Sequence, residues 1–329
     1  MQVKNQFLNN MENKDEQSLN PLRTGFSEEM LVDISSGLVE FVKEDNRLPE
    51  ETYCYRHPDY PEELDIKYPQ ILEEFQKPEN CPALPEKTID TILALPSDEV
   101  VADLSRIVIY KIGRELKAME KPRDKWIDDD TIIHCVAFLT QLADPAGFEA
   151  VMEVARQNGD FIWYIDYHMG DTFKMILPHA LYATGNGRPE IMEEFLMHPG
   201  YEGEHKGYMA QALAFIALEM PDRRDEVLGI LRRYLTFMSK NIPAAHGCSG
   251  FVAGLVIKSL MDIKAVELLP EIKKLFACGF VNRNQCGDYR KVENELTSPD
   301  APKGKYDFTD IKDFYARVKQ TLPRSGNVS

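Results

Sequence analysis

The chain has 329 residues, 43% of them hydrophobic and 10% aromatic, which is ordinary for a folded protein and excludes a disordered one. Its 54 acidic residues against 38 basic ones give a formal net charge of −16. That field repels polyanions and argues against DNA or RNA as the main partner. The six cysteines, Cys54, Cys81, Cys135, Cys248, Cys278 and Cys286, form no C-x-x-C pair, and several sit in apolar helical patterns, as reduced cytosolic thiols do. Residues 1–26 start rich in Asn and Gln, lack the apolar core of a signal peptide and read as a disordered tail. No run of about 18 apolar residues follows, so the expectation is a cytoplasmic protein that does not span a membrane.

After residue 26, apolar residues recur at helical spacing and no period-two strand pattern survives, so the fold class is all-α. The first helix is SEEMLVDISSGLVEFVKED, 27–45, with Ser27 as its cap and Glu28 and Glu29 at its positive end. A Pro- and Tyr-rich connector completes residues 27–84; prolines 49, 58, 61 and 69 forbid one long helix and predict a short helix and loops packed on the body. LPEKTIDTILAL and SDEVVADLSRIVIYKIGRELKAM are the next helices, the second started by Ser97 and the acids after it.

Four segments beyond the charged break EKPRDKWIDDD share one form: an apolar helix, a short turn and a second amphipathic helix. They are TIIHCVAFLTQLADPAGFEAVMEVARQ, TFKMILPHALYATGNGRPEIMEEFLM, GYMAQALAFIALEMPDRRDEVLGILRRYL and GFVAGLVIKSLMDIKAVELLPEIKKLF. Their turns at Asp144, Asn186, Pro221 and Lys264 are spaced by 42, 35 and 43 residues, the period of a helical-repeat array. One helix pair cannot cover its own apolar face, whereas stacked pairs cover one another. Gly207, Ala210, Ala212, Ala214 and Ala217, with Gly250, Ala253 and Gly254, allow close packing and place the first helices in a middle layer.

The runs ALEMPDRRDEVLGILRRYL and AVELLPEIKKLFACGFVN, the latter followed by CGDYRKVENEL, resemble a bacterial family of unknown function built of HEAT-like repeats. The resemblance covers roughly residues 85–297 and rests on spaced apolar and small positions. It implies a right-handed α-α superhelix, a HEAT-like helical-repeat solenoid, and carries no catalytic motif with it.

Chemistry gathers in FIWYIDYHMGDTF, 161–173, read as the connector from the first pair to the second. Its counterparts HPGYEGEHKG and KNIPAAHGCSG also carry histidines, so equivalent loops of neighbouring repeats line up His168, His205 and His246 along one edge. One reading is structural: Phe161, Trp163 and Tyr164 close an apolar seam and Asp171 caps a helix. A second is a partner-binding edge in which Trp163, Tyr164 and Tyr167 are anchors beside His168, since Trp and Tyr are enriched in interface hot spots. A third is a divalent-metal or acid-base site of Asp166, His168, His205 and His246, although no H-x-x-x-H or C-x-x-C spacing fixes two ligands on one helix face. Arg232 and Arg233 read as part of a solvated outer helix face or, alternatively, as a clamp for a carboxylate of a peptide partner. His179 reads as a packed, hydrogen-bonded histidine, and the adjacent His134 and Cys135 point to different helix faces.

Residues 298–329 read as a polar loop and a helix, DFTDIKDFYARVKQTL, with Ile311, Phe314, Tyr315, Val318 and Leu322 on one face. That helix caps a terminal repeat or, alternatively, docks in the concave groove. The functional expectation is a non-enzymatic scaffold that binds a protein or peptide segment, without a cofactor and with its oligomeric state open. The alternative is a metal-dependent hydrolase that uses the histidine-bearing loops.

Overall fold

The computed structural model describes residues 54–121, 130–166, 172–198, 200–201, 203–242 and 248–321. Among them every regular element is helical and no strand occurs. The helix expected over 27–45 lies outside the described residues. The connector enters as extended chain, then forms α1 (Pro69–Phe75), which a proline starts from a fixed φ. Helices α2 (Glu86–Leu93) and α3 (Ser97–Met119) follow. Ser97 makes no side-chain cap bond, and Asp98 and Glu99 in the first turn of α3 answer the helix dipole instead.

The four helix pairs form where the periodicity places them. They are α4 (Thr131–Leu142) with α5 (Phe148–Ala155), α7 (Thr172–Gly185) with α8 (Pro189–Met197), α9 (Gly203–Glu219) with α10 (Arg224–Asn241), and α11 (Gly250–Asp262) with α12 (Leu269–Ala277). Local chemistry sets the breaks. Ala143 ends α4 in a left-handed turn, and the Asp144 side chain accepts from the Ala146 amide to start the next turn. The Ser249 hydroxyl caps the Val252 amide at the start of α11. Between the first two pairs lies α6 (Gly159–Ile165), a short helix where the sequence suggested a loop; the Asn158 side chain caps its Phe161 amide at 2.9 Å.

The first helices α4, α7, α9 and α11 pack side by side in chain order, and the second helices α8, α10 and α12 do the same in a parallel layer. A single apolar core runs between the layers. Contact is close: a Cβ on Gly207 of α9 would meet Leu255 of α11 at 2.7 Å. Helix α3 closes one end against α4 and α5, while α13 (Arg283–Cys286) and α14 (Tyr289–Thr297) cover α11 at the other.

The final helix, α15 (Ile311–Thr321), covers the first pair and not the last. It packs on α4 and α2, at the opposite end of the array, with Ile311, Phe314, Tyr315 and Val318 buried. The reason is its anchor on α4. His134 Nδ1 lies 2.6 Å from the Tyr315 hydroxyl inside the core, and the Gln141 side chain accepts from the Ile311 amide at 2.8 Å.

Candidate functional site

To reach α4 from the end of α14, residues 298–310 must cross the whole row of first helices. Pro302, Gly304 and the polar residues around them offer no helical pattern, and the segment runs without regular structure. It forms a strap over the middle layer. The Gly304 amide donates to the Asp262 carbonyl at the end of α11 at 2.7 Å, and a Cβ on Gly304 would meet that same oxygen at 2.7 Å, so the approach needs a glycine.

Further along, the Tyr306 ring lies over α9 and α7. Its centroid is 5.4 Å from Phe215, 4.6 Å from Tyr182 and 5.1 Å from His179. Asp307 follows with its carboxylate between two bases: Oδ1 is 2.9 Å from His179 Nε2, and Oδ2 accepts from the Arg317 guanidinium at 2.8 Å. His179 Nδ1–H donates to the Met175 carbonyl at 2.8 Å, which fixes the ring. Burial pushes the His179 pKa below its ordinary value, against the pull of the Met175 carbonyl and Asp307, and with Nδ1–H given to Met175 the Nε2–Asp307 contact is an ion pair only while the ring is protonated. Phe308 is buried, 6.2 Å from His179 and 6.3 Å from Phe314 of α15.

The strap does not fill the space it crosses. A cleft of about 470 Å³ opens between it and α9 and α11, lined by Gln211, Phe215, Leu218, Lys258 and Asp262 on the body and Lys305 on the strap. Lys258 is held by Asp262 at 2.6 Å. Lys305 is exposed.

The residues singled out in the sequence lie elsewhere. Trp163 on α6 is exposed, at 44%. Tyr164 is buried and is no surface anchor: its hydroxyl donates to Glu115 at 2.9 Å, and Glu115 in turn pairs with the buried Lys111 at 2.6 Å. Tyr167, His168 and His246 lie outside the described residues. Asp166 is buried, and its Oδ2 accepts from the Phe173 amide at the start of α7, a helix-capping bond. His205 is buried too, with Nδ1–H donating to the Ala155 carbonyl at 2.8 Å. Among the described residues, no group of three or more His, Cys, Asp and Glu side chains is arranged to hold a metal ion.

Arg232 and Arg233 hold carboxylates of their own chain rather than a partner's. Arg233 grips Glu193 of α8 through Nε at 2.5 Å and a terminal nitrogen at 2.7 Å. Arg232 lies 3.6 Å from Glu271 and donates to the Glu267 carbonyl at 3.2 Å. Both therefore stitch neighbouring second helices together.

A second polar centre ties the connector to the body. Glu153, buried near the end of α5, accepts from Tyr55 and Tyr60, each at 2.6 Å, and also from Gln157 and Arg156. His57 Nδ1 lies 3.2 Å from the Tyr60 hydroxyl. Desolvation, with the Glu153 bond second, raises both phenols well above their ordinary range, so they remain donors. The buried thiols are equally quiet: burial pushes Cys248 up to about 11 and Cys286 to about 12.

Sequence reasoning placed His179 correctly as packed and hydrogen-bonded but missed Tyr306, Asp307 and Arg317. The one available signal was two aromatics, Tyr306 and Phe308, inside a polar, glycine-containing loop. Comparison of the chain with protein-family models, curated proteins and solved structures gave no match.

Proposed function

We propose that the protein is a HEAT-like, right-handed helical-repeat scaffold of the cytoplasm, and that the middle-layer face binds an extended protein segment without catalysis. The observation that carries this reading is the strap. An extended stretch of polypeptide already runs from α11 over α9 and α7 toward α4, held by the Asp262 carbonyl and by His179, Tyr182 and Phe215, which is how repeat arrays engage linear segments. The adjoining cleft supports it, since room remains beside the strap for a second chain. The net charge of −16 favours protein over nucleic acid as the partner. Among the described residues no helix is long and apolar enough to cross a membrane.

A random twelve-residue peptide library displayed on phage and panned on the full chain tests this. The expected result is enriched peptides that lose binding to a Phe215→Ala variant with unchanged circular dichroism. Enriched peptides indifferent to Phe215→Ala, or no enrichment at all, would refute the reading.

A further inference from the structure

The strap lies in a site whose walls do not belong to it. His179 and Tyr182 come from α7, Phe215 from α9, and Arg317 and Phe314 from α15. Together they make an aromatic pocket for Tyr306, a two-sided cradle for the Asp307 carboxylate and an apolar seat for Phe308. We propose that this site recognises an extended partner segment carrying an aromatic–acidic–aromatic triplet, and that Tyr306, Asp307 and Phe308 are its built-in occupant, displaced when the partner binds. The proposal rests on the middle-layer face being the binding face and names the ligand chemistry it takes.

Two observations favour an occupant that leaves over a fixed part of the core. First, α15 is held independently, by His134 and Gln141 and by an ion pair of Lys312 with Asp90 at 2.7 Å. Arg317 thus stays at the site to receive another carboxylate. Second, the cleft gives an incoming segment a place to engage next to Phe215 before the strap has moved.

A tethered occupant competes at an effective concentration in the millimolar range. Partner affinity in the parent is lowered accordingly and recovers once the strap is weakened. The test is fluorescence anisotropy of a labelled peptide of sequence APKGKYDFTDIK, residues 301–312 of this chain. It is titrated with the full-length parent, with a Tyr306→Ala, Phe308→Ala variant, and with the same variant carrying His179→Ala. The expected result is at least tenfold tighter binding to the double variant than to the parent. His179→Ala, or Asn for Asp in the peptide, then loses at least tenfold. Equal affinity for parent and double variant, or affinity indifferent to His179, overturns the proposal. If circular dichroism shows the double variant unfolded, Asp307→Asn replaces it: this change keeps both rings and weakens only the carboxylate cradle, and a gain of several-fold over the parent is required. Library peptides that need Phe215 but lack the triplet would overturn this inference and leave the scaffold reading standing, whereas the absence of any peptide binding would end both.

Discussion

Glu153 shows how much a single side chain can organise when it is buried and fully used. Its carboxylate collects two phenol donors, a guanidinium and an amide, and through the phenols it fastens residues 54–60 to α5. Hydrogen bonds to a charged group contribute about 1.5–3 kcal/mol each, and orphaned donors add a desolvation cost. Glu153→Ala is therefore expected to destabilise the fold by about 3 kcal/mol in urea unfolding and to abolish amide protection over residues 54–60. The site residues also show why the sequence was only partly legible at this scale. His179 could be read as a packed histidine from its place in an apolar helix, but its carboxylate partner lies 128 residues away, and no local spacing announces such a pair. Tyr164 could be read either as part of an apolar seam or as a surface anchor; the fold buries it, and the Glu115 that takes its hydroxyl lies 49 residues away.

Three histidines carry a pH prediction. His57, His179 and His198 all have pKa values lowered by burial relative to the unfolded chain. Below the ordinary histidine value of about 6.5 the unfolded state takes up more protons than the folded one. Their contribution to stability is thus full above that value and declines as the pH falls toward the folded pKa values. Thermal unfolding midpoints measured between pH 7.5 and 5.5 should fall on the acid side, and His179→Gln should flatten part of that fall.

At the scale of elements, boundaries were legible wherever a cap or a proline marks them. Asp144, Pro189, Pro221 and Ser249 each sit at a break that local chemistry enforces. The short helix α6 was missed because its seven residues show no amphipathic period to distinguish them from a loop. That α15 covers an apolar face was legible from its own apolar stripe, but which terminal pair it covers was not, because the choice of α4 over the last pair depends on His134 and Gln141. Close packing between elements yields a further prediction. A Cβ on Gly250 would fall 1.7 Å from the Phe280 carbonyl, while the Gly250 carbonyl itself accepts from the Asn282 amide at 2.9 Å. Gly250→Ala must push α11 away from residues 280–282, and a loss of about 2 kcal/mol or more is expected in chemical unfolding.

Across the whole molecule, the two parallel layers divide their work. The second helices are joined by exposed ion pairs, Arg188 with Glu149, Arg233 with Glu193 and Arg224 with Glu267, at 3.2, 2.5 and 3.1 Å. Exposed pairs contribute about 0–1 kcal/mol. Arg233→Ala should change stability by less than about 1 kcal/mol and leave peptide binding untouched, in contrast to Phe215→Ala. The first helices, by comparison, present His179, Tyr182 and Phe215 of α7 and α9 and the Asp262 carbonyl of α11 to one extended segment, and that segment happens to be the protein's own. The four helix pairs were legible because each shows the same helix–turn–helix pattern in the sequence; the strap was not, since an irregular segment has no period and its meaning comes only from what it crosses.

The most direct measurement is hydrogen–deuterium exchange of the full chain with and without a saturating library-selected peptide. The account predicts faster exchange over residues 298–310 and added protection in α7 and α9. Unchanged exchange in the strap, with protection appearing only on α8, α10 or α12, would contradict it.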